Sequence, residues 1–171
     1  MKKGLIGVLT AALLFCLPSI TLAIHETVPA DTQVPMPGAD AQDLYKYIVK
    51  VSPYTSWALW PGKGRFYPGR EPHGALLTTF VNETAFYSIK NKTGMAYDSI
   101  VVKENYTSDK RLDALTVIYK MKQYNPQAGD WFWAKYAPGG KVVASGKVDA
   151  CIRCHGEKKA NDYIWTGEVK K

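Results

Sequence analysis

Apolar and polar positions alternate through most of the chain from residue 75 onward. Segments rich in β-branched and aromatic residues follow this pattern: ALLTTFV, SIVVKENY, LTVIYKMK, DWFWAKY and KVVASGKV. In SIVVKENY, Val102 and Glu104 fall on one side of an extended chain, and Val101 and Lys103 fall on the other. The pattern predicts five strands, and APGGK between the last two is typical of a hairpin turn.

Two segments have the spacing of helices instead. After a candidate N-cap at Asp40, apolar residues recur at helical intervals until SPYT ends the run: Leu44, Tyr47, Ile48 and Val51. The segment NETAFYSIKNKTG predicts a second helix, with Asn82 as its N-cap and Gly94 as its stop. Together the elements predict an α+β domain, an antiparallel β-sheet with a few helices.

The first residues have the pattern of a secretory signal peptide. Lys2 and Lys3 precede the apolar run LIGVLTAALLFCL, and small residues lead to a cleavage point after Ala23. Phe15, the residue before Cys16, is too large for lipoprotein processing, so lipidation is not favoured. We therefore expect cleavage of residues 1–23, export to the periplasm and no membrane span after processing.

The rest of the chain is short enough for one domain. Residues 24–38 hold three prolines and no periodicity, which predicts an extended N-terminal arm, and residues 39–171 should form a single domain. Removal of Lys2 and Lys3 with the leader lowers the formal net charge from +7 to +5. The basic residues form no run, so a nucleic-acid partner is not expected, although an acidic partner protein stays open.

The loop between the first helix and the first predicted strand is dense in aromatic residues. SPYTSWALWPGKGRFYPGREPHG carries Tyr54, Trp57, Trp60, Phe66 and Tyr67. Such rings usually close a core over one end of a sheet. The alternative is that some of them wall a flat cofactor.

The segment CIRCH contains both cysteines that the mature chain would keep, and four interpretations compete. A disulfide between Cys151 and Cys154 would close too short a loop to stabilise much. A redox dithiol usually opens a helix in a βαβ unit, which does not precede this segment. Zinc needs four ligands, and only His25 and His73 are evident nitrogen donors elsewhere. Covalent haem fits best in an exported protein.

Haem c attachment assigns a role to each residue of the motif. The thiols of Cys151 and Cys154 add to the two vinyl groups of one haem, and the adjacent His155 binds the iron on the proximal side. Sixth-ligand candidates elsewhere are Met36, Met95, Met121, His25 and His73. The sequence context of Met121 is typical of a core residue, and that of His73 is typical of a partly exposed turn residue. We therefore expect an open distal site, in which no protein side chain binds the iron opposite His155.

Several segments together resemble the cytochrome P-460 family and its gas-binding relatives, the cytochromes c prime-beta. The matching segments are PHGALLTTFVNETAFYSI, SIVVKENY, GDWFWAKYAPGGKV, CIRCH and NDYIWT. The resemblance implies a mostly β scaffold and a periplasmic homodimer with one haem. It also implies a five-coordinate iron bound by His155.

The resemblance also points to two residues that separate an enzyme from a binding protein. In cytochromes P-460 a strand lysine is bonded to the porphyrin and supports hydroxylamine oxidation, and Lys103 is its counterpart here. From the sequence alone, a lysine beside Glu104 is more typical of a solvated edge strand. A distal arginine of the hydroxylamine-oxidising proteins corresponds to Leu77, which cannot donate hydrogen bonds.

Three hypotheses of function follow. The first is a cytochrome that binds NO, CO or a similar ligand in an apolar distal pocket, to which Leu77 and Phe66 contribute. The second is an oxidoreductase that acts on hydroxylamine or NO, with Lys103 crosslinked to the haem and a redox partner cytochrome. The third is a plain electron carrier, which requires a sixth ligand from the protein.

Overall fold

The computed structural model describes residues 35–170. The expected signal peptide and all but the last residues of the expected arm lie outside the described residues. The helices are α1 (Ala41–Lys46, continued by a π-helical turn, Tyr47–Val51), α2 (Glu83–Asn91) and α3 (Asp149–Gly156). The strands are β1 (Ala58–Leu59), β2 (Tyr67–Pro68), β3 (Leu76–Val81), β4 (Ile100–Tyr106), β5 (Leu112–Lys120), β6 (Trp131–Tyr136) and β7 (Val142–Gly146).

The seven strands form one antiparallel sheet, which confirms the α+β prediction. Strands β3 to β7 pair in chain order, while β1 and β2 both pair with β3. The five predicted strands are confirmed as β3 to β7. The two short strands in the aromatic loop were not predicted, because a strand of two residues has no periodicity to detect.

The first helix begins where the sequence predicts it. The carboxylate of Asp40 accepts hydrogen bonds from the backbone N–H groups of Gln42 and Asp43, which otherwise lack partners in the first turn. Leu44 and Ile48 are fully buried against the sheet. Helical spacing therefore identified the buried face at Leu44 and Ile48, but Val51, the last residue of the predicted run, is exposed.

The second helix ends earlier than the sequence predicts. Its N-cap is Asn82, as expected, and the side chain accepts a hydrogen bond from the Ala85 N–H. Lys92, not Gly94, adopts the left-handed conformation that ends α2, with φ at 53°. Gly94 also has a positive φ, but its N–H donates to the Val169 carbonyl, which anchors the segment after the helix.

The sheet is apolar on both sides, and each side has its own core. One side, here called the α1 face, packs against α1 and includes Leu44, Ile48, Tyr54, Phe80, Ile100, Val102, Leu115, Val117 and Phe132. The other side, here called the α3 face, includes Trp60, Val81, Ala85, Ile89, Val101, Trp131, Trp133 and Ile164, with Cys151 and Ile152 of α3 packed against it. The predicted alternation in β4 is confirmed, since Val102 and Val101 belong to different cores.

The described part of the chain contains only short helices. Within residues 35–170, no helix combines the length and the apolar composition needed to cross a membrane.

Candidate functional site

Cys151, Cys154 and His155 lie on α3, a helix that the sequence analysis did not predict. Side chains three and four positions apart share one face of a helix, so Cys154 and His155 lie on the same face as Cys151. Cys151 is half-buried against the α3 face, Cys154 is exposed, and both thiols are free. No disulfide joins them, and both sulfur atoms are available for another bond.

A cleft separates this helix from the α3 face of the sheet. One cavity, of about 260 Å³, borders Cys151, Cys154 and His155 and is here called the main cavity. A larger adjoining cavity, of about 490 Å³, is bounded by several of the same residues. The residues that border both cavities are Pro72, His73, Lys103, Cys154, His155, Trp165 and Thr166. The rest of the main cavity is largely apolar and includes Val101, Ile118, Trp133, Ala144, Val148 and Ile164.

Strand register places a row of mostly polar residues along the sheet wall of this cleft. Lys103 of β4 pairs with Thr79 on one side and Thr116 on the other, and the row continues through Lys135 and Ala144. Four of these five residues are polar, although they lie on a face that is otherwise apolar. Such a row inside a cleft is more typical of a binding site than of a core.

Lys103 is not the solvated edge residue that its sequence context favours. Strand β4 lies between β3 and β5, and the Lys103 side chain enters the cleft. Burial lowers the pKa of this ammonium group from its ordinary value to about 8. Within residues 35–170 no carboxylate forms an ion pair with Lys103, so nothing compensates the cost of burying its charge.

The His155 ring is held in the orientation that a metal ligand requires. Its Nδ1 lies 2.7 Å from the backbone carbonyl oxygen of Tyr163. A carbonyl can only accept a hydrogen bond, so Nδ1 carries the proton and Nε2 keeps its lone pair. Burial lowers the pKa of His155, which favours the neutral ring. The Trp133 indole packs edge-on against the imidazole, with centroids 4.6 Å apart, and restrains it further.

His73 is a partly exposed turn residue, as the sequence indicates, and it also borders the cleft. Its Nδ1 is 3.0 Å from Oδ1 of Asn105, whose amide nitrogen donates to the Lys103 and Ala114 carbonyls and to the Thr116 hydroxyl. The Asn105 oxygen must therefore accept from His73 Nδ1–H, which leaves His73 Nε2 with a lone pair. Burial and then the nearby Lys103 lower the pKa of His73 to about 4.

The methionine candidates for a sixth ligand lie elsewhere. Met36 accepts a hydrogen bond from the Tyr47 hydroxyl and packs, like Met121, on the core of the α1 face. Met95 is buried on the α3 face but does not border the cleft. His25 lies outside the described residues. Of the five candidates named from the sequence, His73 is the one that the structure brings to His155.

Leu77 and Phe66 have different positions relative to this cleft. Leu77 is buried and borders the adjoining cavity together with Tyr67. Phe66 does not border either cavity. Its ring packs on Tyr106, and its backbone N–H donates to the hydroxyl of Thr78. The Thr78 side chain faces away from the cleft, because side chains alternate along β3 and Thr79 is on the cleft side. The structure therefore brings Leu77, but not Phe66, to the candidate site.

The aromatic loop serves both purposes considered from the sequence. Tyr54 belongs to the core of the α1 face and Trp60 to the core of the α3 face. Tyr67 reaches the cleft, where its hydroxyl lies 2.6 Å from the Thr79 hydroxyl. The aromatic loop therefore mainly contributes rings to the two hydrophobic cores, and it places one ring, that of Tyr67, at the cleft.

Several cleft residues were not identified from the sequence as site residues. They are Thr116, Ile118, Trp133, Lys135, Ala144, Val148, Ile164 and Trp165. The alternation in the strands carried a usable signal, since Thr116 and Lys135 are polar residues that fall on the same face as Lys103 once the register is known. The register itself was not predictable from one sequence, so this signal could not be read.

The donor set of the described residues fits a haem. In the part of the chain that the structure describes, no cluster of three or more His, Cys, Asp or Glu residues could hold a metal ion. The cleft instead offers apolar walls for a porphyrin, two free thiols and a neutral imidazole. The buried Trp133 Nε1–H has no hydrogen-bond partner among residues 35–170 and could donate to a bound group.

Comparison with known proteins agrees with this donor set. A family model described as Cytochrome P460 matches residues 67–166, a segment that runs from β2 through the cysteine motif and the last residues of the cleft. Both His73 and His155, as well as Lys103, lie inside the matched segment. No curated protein matches the chain.

Proposed function

The chain belongs to the cytochrome P460 family and is therefore a haem cytochrome. From this premise we propose that it is an exported c-type cytochrome that binds NO or a similar small ligand. One observation carries the proposal. A neutral His155, with Nδ1 tethered to the Tyr163 carbonyl and Nε2 free, shares an apolar cleft with the free thiols of Cys151 and Cys154.

The position of the two cysteines supports covalent attachment. Each thiol adds across one vinyl group of the haem, so that a carbon–sulfur bond forms, the thiol hydrogen goes to the other vinyl carbon, and no oxidant is needed. Cys151 and Cys154 are one helical turn apart on one face of α3, and His155 shares that face. Haem c bound in this way supplies an iron centre that can bind a small ligand and change its oxidation state.

The chain's own residues shape the ligand site. Leu77, Val101 and Ile118 provide apolar surface, which excludes water and suits a neutral diatomic molecule such as NO or CO. Lys103 and Lys135 provide positive charge without an acidic residue in the main cavity, which suits the haem propionates. The proposal also includes export to the periplasm, one haem in each chain and assembly as a homodimer. The family resemblance implies these three properties.

The proposal is tested first by the visible spectrum of the purified protein before and after NO is added. A c-type haem gives a haemochrome spectrum, and the ferrous protein should shift to a nitrosyl spectrum within the mixing time of a stopped-flow instrument. Cys151→Ala combined with Cys154→Ala should release the haem on a denaturing gel. Arg153→Ala, an exposed change inside the same motif, should retain it. A ferrous protein that forms no nitrosyl complex contradicts NO binding.

A second candidate function, oxidation of hydroxylamine, is supported by Lys103. The amine is buried in the cleft and has a pKa lowered to about 8, so a substantial neutral fraction exists near neutral pH. A neutral amine is the nucleophilic form that a bond to the porphyrin needs; the new nitrogen–carbon bond would replace one N–H bond of Lys103 and one C–H bond of the porphyrin, and a peroxide would accept the two electrons and two protons released. In this case a redox partner cytochrome accepts the electrons removed from hydroxylamine.

The two candidate functions differ in the state of Lys103. If the second candidate is correct, the Soret band of the purified protein is displaced strongly to the red. A tryptic digest should then contain haem joined to the peptides of both Cys151 and Lys103, and Lys103→Ala should abolish turnover. An ordinary c-type Soret band that Lys103→Ala does not alter rejects this candidate and leaves NO binding in place.

A further inference from the structure

The backbone carbonyl that accepts from His155 Nδ1–H belongs to a turn with an unfavourable conformation. This carbonyl is that of Tyr163, and Asp162 and Tyr163 are consecutive residues with positive φ, at 54° and 66°. The left-handed region is unfavourable for residues other than glycine, and more so for a bulky tyrosine than for an aspartate. The turn keeps this conformation because other contacts of the chain impose it.

Three groups from other parts of the chain hold Asp162. One carboxylate oxygen lies 2.6 Å from the ammonium group of Lys120, and the other accepts the Met95 backbone N–H at 2.8 Å. The backbone carbonyl of Asp162 accepts the Trp131 Nε1–H at 3.0 Å. Lys120 ends β5, Trp131 begins β6, and the two residues are paired across these strands. One end of the sheet therefore fixes both the side chain and the backbone of Asp162.

The ion pair between Lys120 and Asp162 is withdrawn from solvent. Its side chains are 11% and 8% exposed, whereas those of Lys92 and Glu168, the other ion pair in the described part of the chain, are 41% and 70% exposed. Removal of two charges from water offsets much of their attraction, so apolar residues of similar size would stabilise the fold as well. The geometry that the buried pair imposes on the turn explains its presence better than stability does.

The turn acts on the iron ligand through one hydrogen bond. A hydrogen bond on Nδ1 orients the imidazole and raises its basicity, so it strengthens the bond that Nε2 makes to a metal. The donor and acceptor atoms of His155 and Tyr163 are 2.7 Å apart, and Tyr163 directly follows Asp162 in the chain. Hydrogen bonds weaken as their distance and angle depart from the optimum. A displacement of Asp162 would therefore weaken the donor strength of His155.

We infer that Asp162, held by Lys120, is a positioning residue for His155, and that this ion pair sets the strength of the iron–His155 bond and the reduction potential of the haem. The inference rests on the proposed function, because it assumes a haem bound through His155. A stronger imidazole donor stabilises ferric iron more than ferrous iron. The intact ion pair therefore lowers the reduction potential.

The test replaces the ion pair by a neutral pair in the purified holoprotein. Lys120→Met combined with Asp162→Asn keeps side chains of similar size and leaves no buried charge without a partner, so the variant should fold. Without added ligand, the iron–histidine stretching band in the resonance Raman spectrum of the ferrous protein should move to lower wavenumber. The reduction potential should rise, because both changes report a weaker imidazole donor.

The exposed ion pair supplies a matched control. Lys92→Met combined with Glu168→Gln also neutralises one ion pair and leaves the net charge unchanged, and it should leave the band and the potential at their wild-type values. Asp162→Asn alone keeps an oxygen that can accept the Met95 N–H, and it should shift the band in the same direction as the double variant. Urea denaturation records the stability of each variant. A loss of stability with an unchanged band overturns the inference, since the pair then has a structural role only.

The remaining outcomes separate the inference from the proposed function. A wild-type band and potential in the double variant overturn the inference, and so does an equal shift in the control. If the double variant does not fold, Asp162→Asn decides the question by the same two measurements. A holoprotein that shows the expected shifts but forms no nitrosyl complex contradicts NO binding and supports the inference. A protein that incorporates no haem overturns both.

Discussion

Two neighbouring residues of β4, half-buried Lys103 and buried Glu104, show how differently the two faces of the sheet use a charge that is withdrawn from solvent. Glu104, on the α1 face, accepts hydrogen bonds from the hydroxyls of Tyr54, at 2.9 Å, and Tyr106, at 2.6 Å. Lys103, on the α3 face, has no hydrogen-bond partner for its ammonium group within residues 35–170. A satisfied buried charge maintains a fold, whereas a buried charge without a partner marks a place where something else binds.

The surroundings of the two residues explain this difference. The α1 face is closed by α1 and the aromatic loop, so every polar group there must find its partner within the chain. The α3 face is only partly closed, because α3 leaves a cleft over the row that contains Lys103. Several groups without a hydrogen-bond partner among residues 35–170 border that cleft: the Lys103 ammonium group, Trp133 Nε1 and the Nε2 atoms of His73 and His155.

The largest effect is expected when Glu104 is replaced. Glu104→Ala leaves the hydroxyls of buried Tyr54 and half-buried Tyr106 without their acceptor, which should lower the free energy of unfolding by about 2–4 kcal/mol. Glu104→Gln keeps one acceptor oxygen and should cost about half as much. Urea denaturation followed by circular dichroism measures both. A stability of Glu104→Ala equal to that of the wild type contradicts a structural role for this carboxylate.

A smaller effect is expected when the pH is raised. Burial, together with the Glu104 carboxylate, raises the pKa of Tyr54 above its ordinary value of 10.0, and the pKa of Tyr106 is also raised. Below pH 10 both tyrosines are protonated in the folded and unfolded states. Above pH 10 the unfolded state releases protons first, so stability falls by at most about 1.4 kcal/mol per pH unit for each tyrosine.

Substitution of Tyr54 tests the origin of this alkaline loss. Tyr54→Phe removes one of the titrating groups, and the loss of stability between pH 10 and pH 11.5 should be less steep than in the wild type. Tyr87→Phe removes a hydroxyl from an exposed ring and is the matched control. Urea denaturation at a series of pH values gives both slopes. Identical slopes for Tyr54→Phe and the wild type would show that the buried tyrosine does not contribute.

The smallest effect on stability is expected at Lys103. Lys103→Met keeps the length of the side chain and removes a buried charge that has no partner, so the free energy of unfolding should stay within about 1 kcal/mol of the wild type or rise. The haem spectrum should be more sensitive than stability to this change. If Lys103→Met destabilised the protein as much as Glu104→Ala, both charges would have a structural role, which contradicts the proposed difference between the two faces.

Local patterns accounted for most of the secondary structure. Asp40 and Asn82 were identified as N-caps because their side chains accept from nearby backbone N–H groups, an interaction that needs no distant partner. The boundaries of β5 were less predictable. The segment was expected to begin at Leu115, but it begins at Leu112 because Ala114 and Leu112 pair with Asn105 and Tyr106 of β4.

The candidate site was predictable only in part, for the same reason. Cys151, Cys154 and His155 are contiguous in the chain, so their common chemistry is visible without a fold. His73 precedes His155 by a long stretch of sequence and resembles an ordinary turn residue between a proline and a glycine. Phe66 is the opposite case, because this aromatic residue of the loop packs on Tyr106 and borders neither cavity.

The sequence by itself determined the α+β class, the strand pattern and the cysteine motif, because caps, alternation and a contiguous motif depend on residues close together in the chain. Only the tertiary structure decided that Lys103 lies in a central strand and enters the cleft. It alone showed that Asn105 orients His73, and that His73 borders the same cleft as His155. These features depend on strand register and on the packing of α3, which are set by contacts between residues far apart in the sequence.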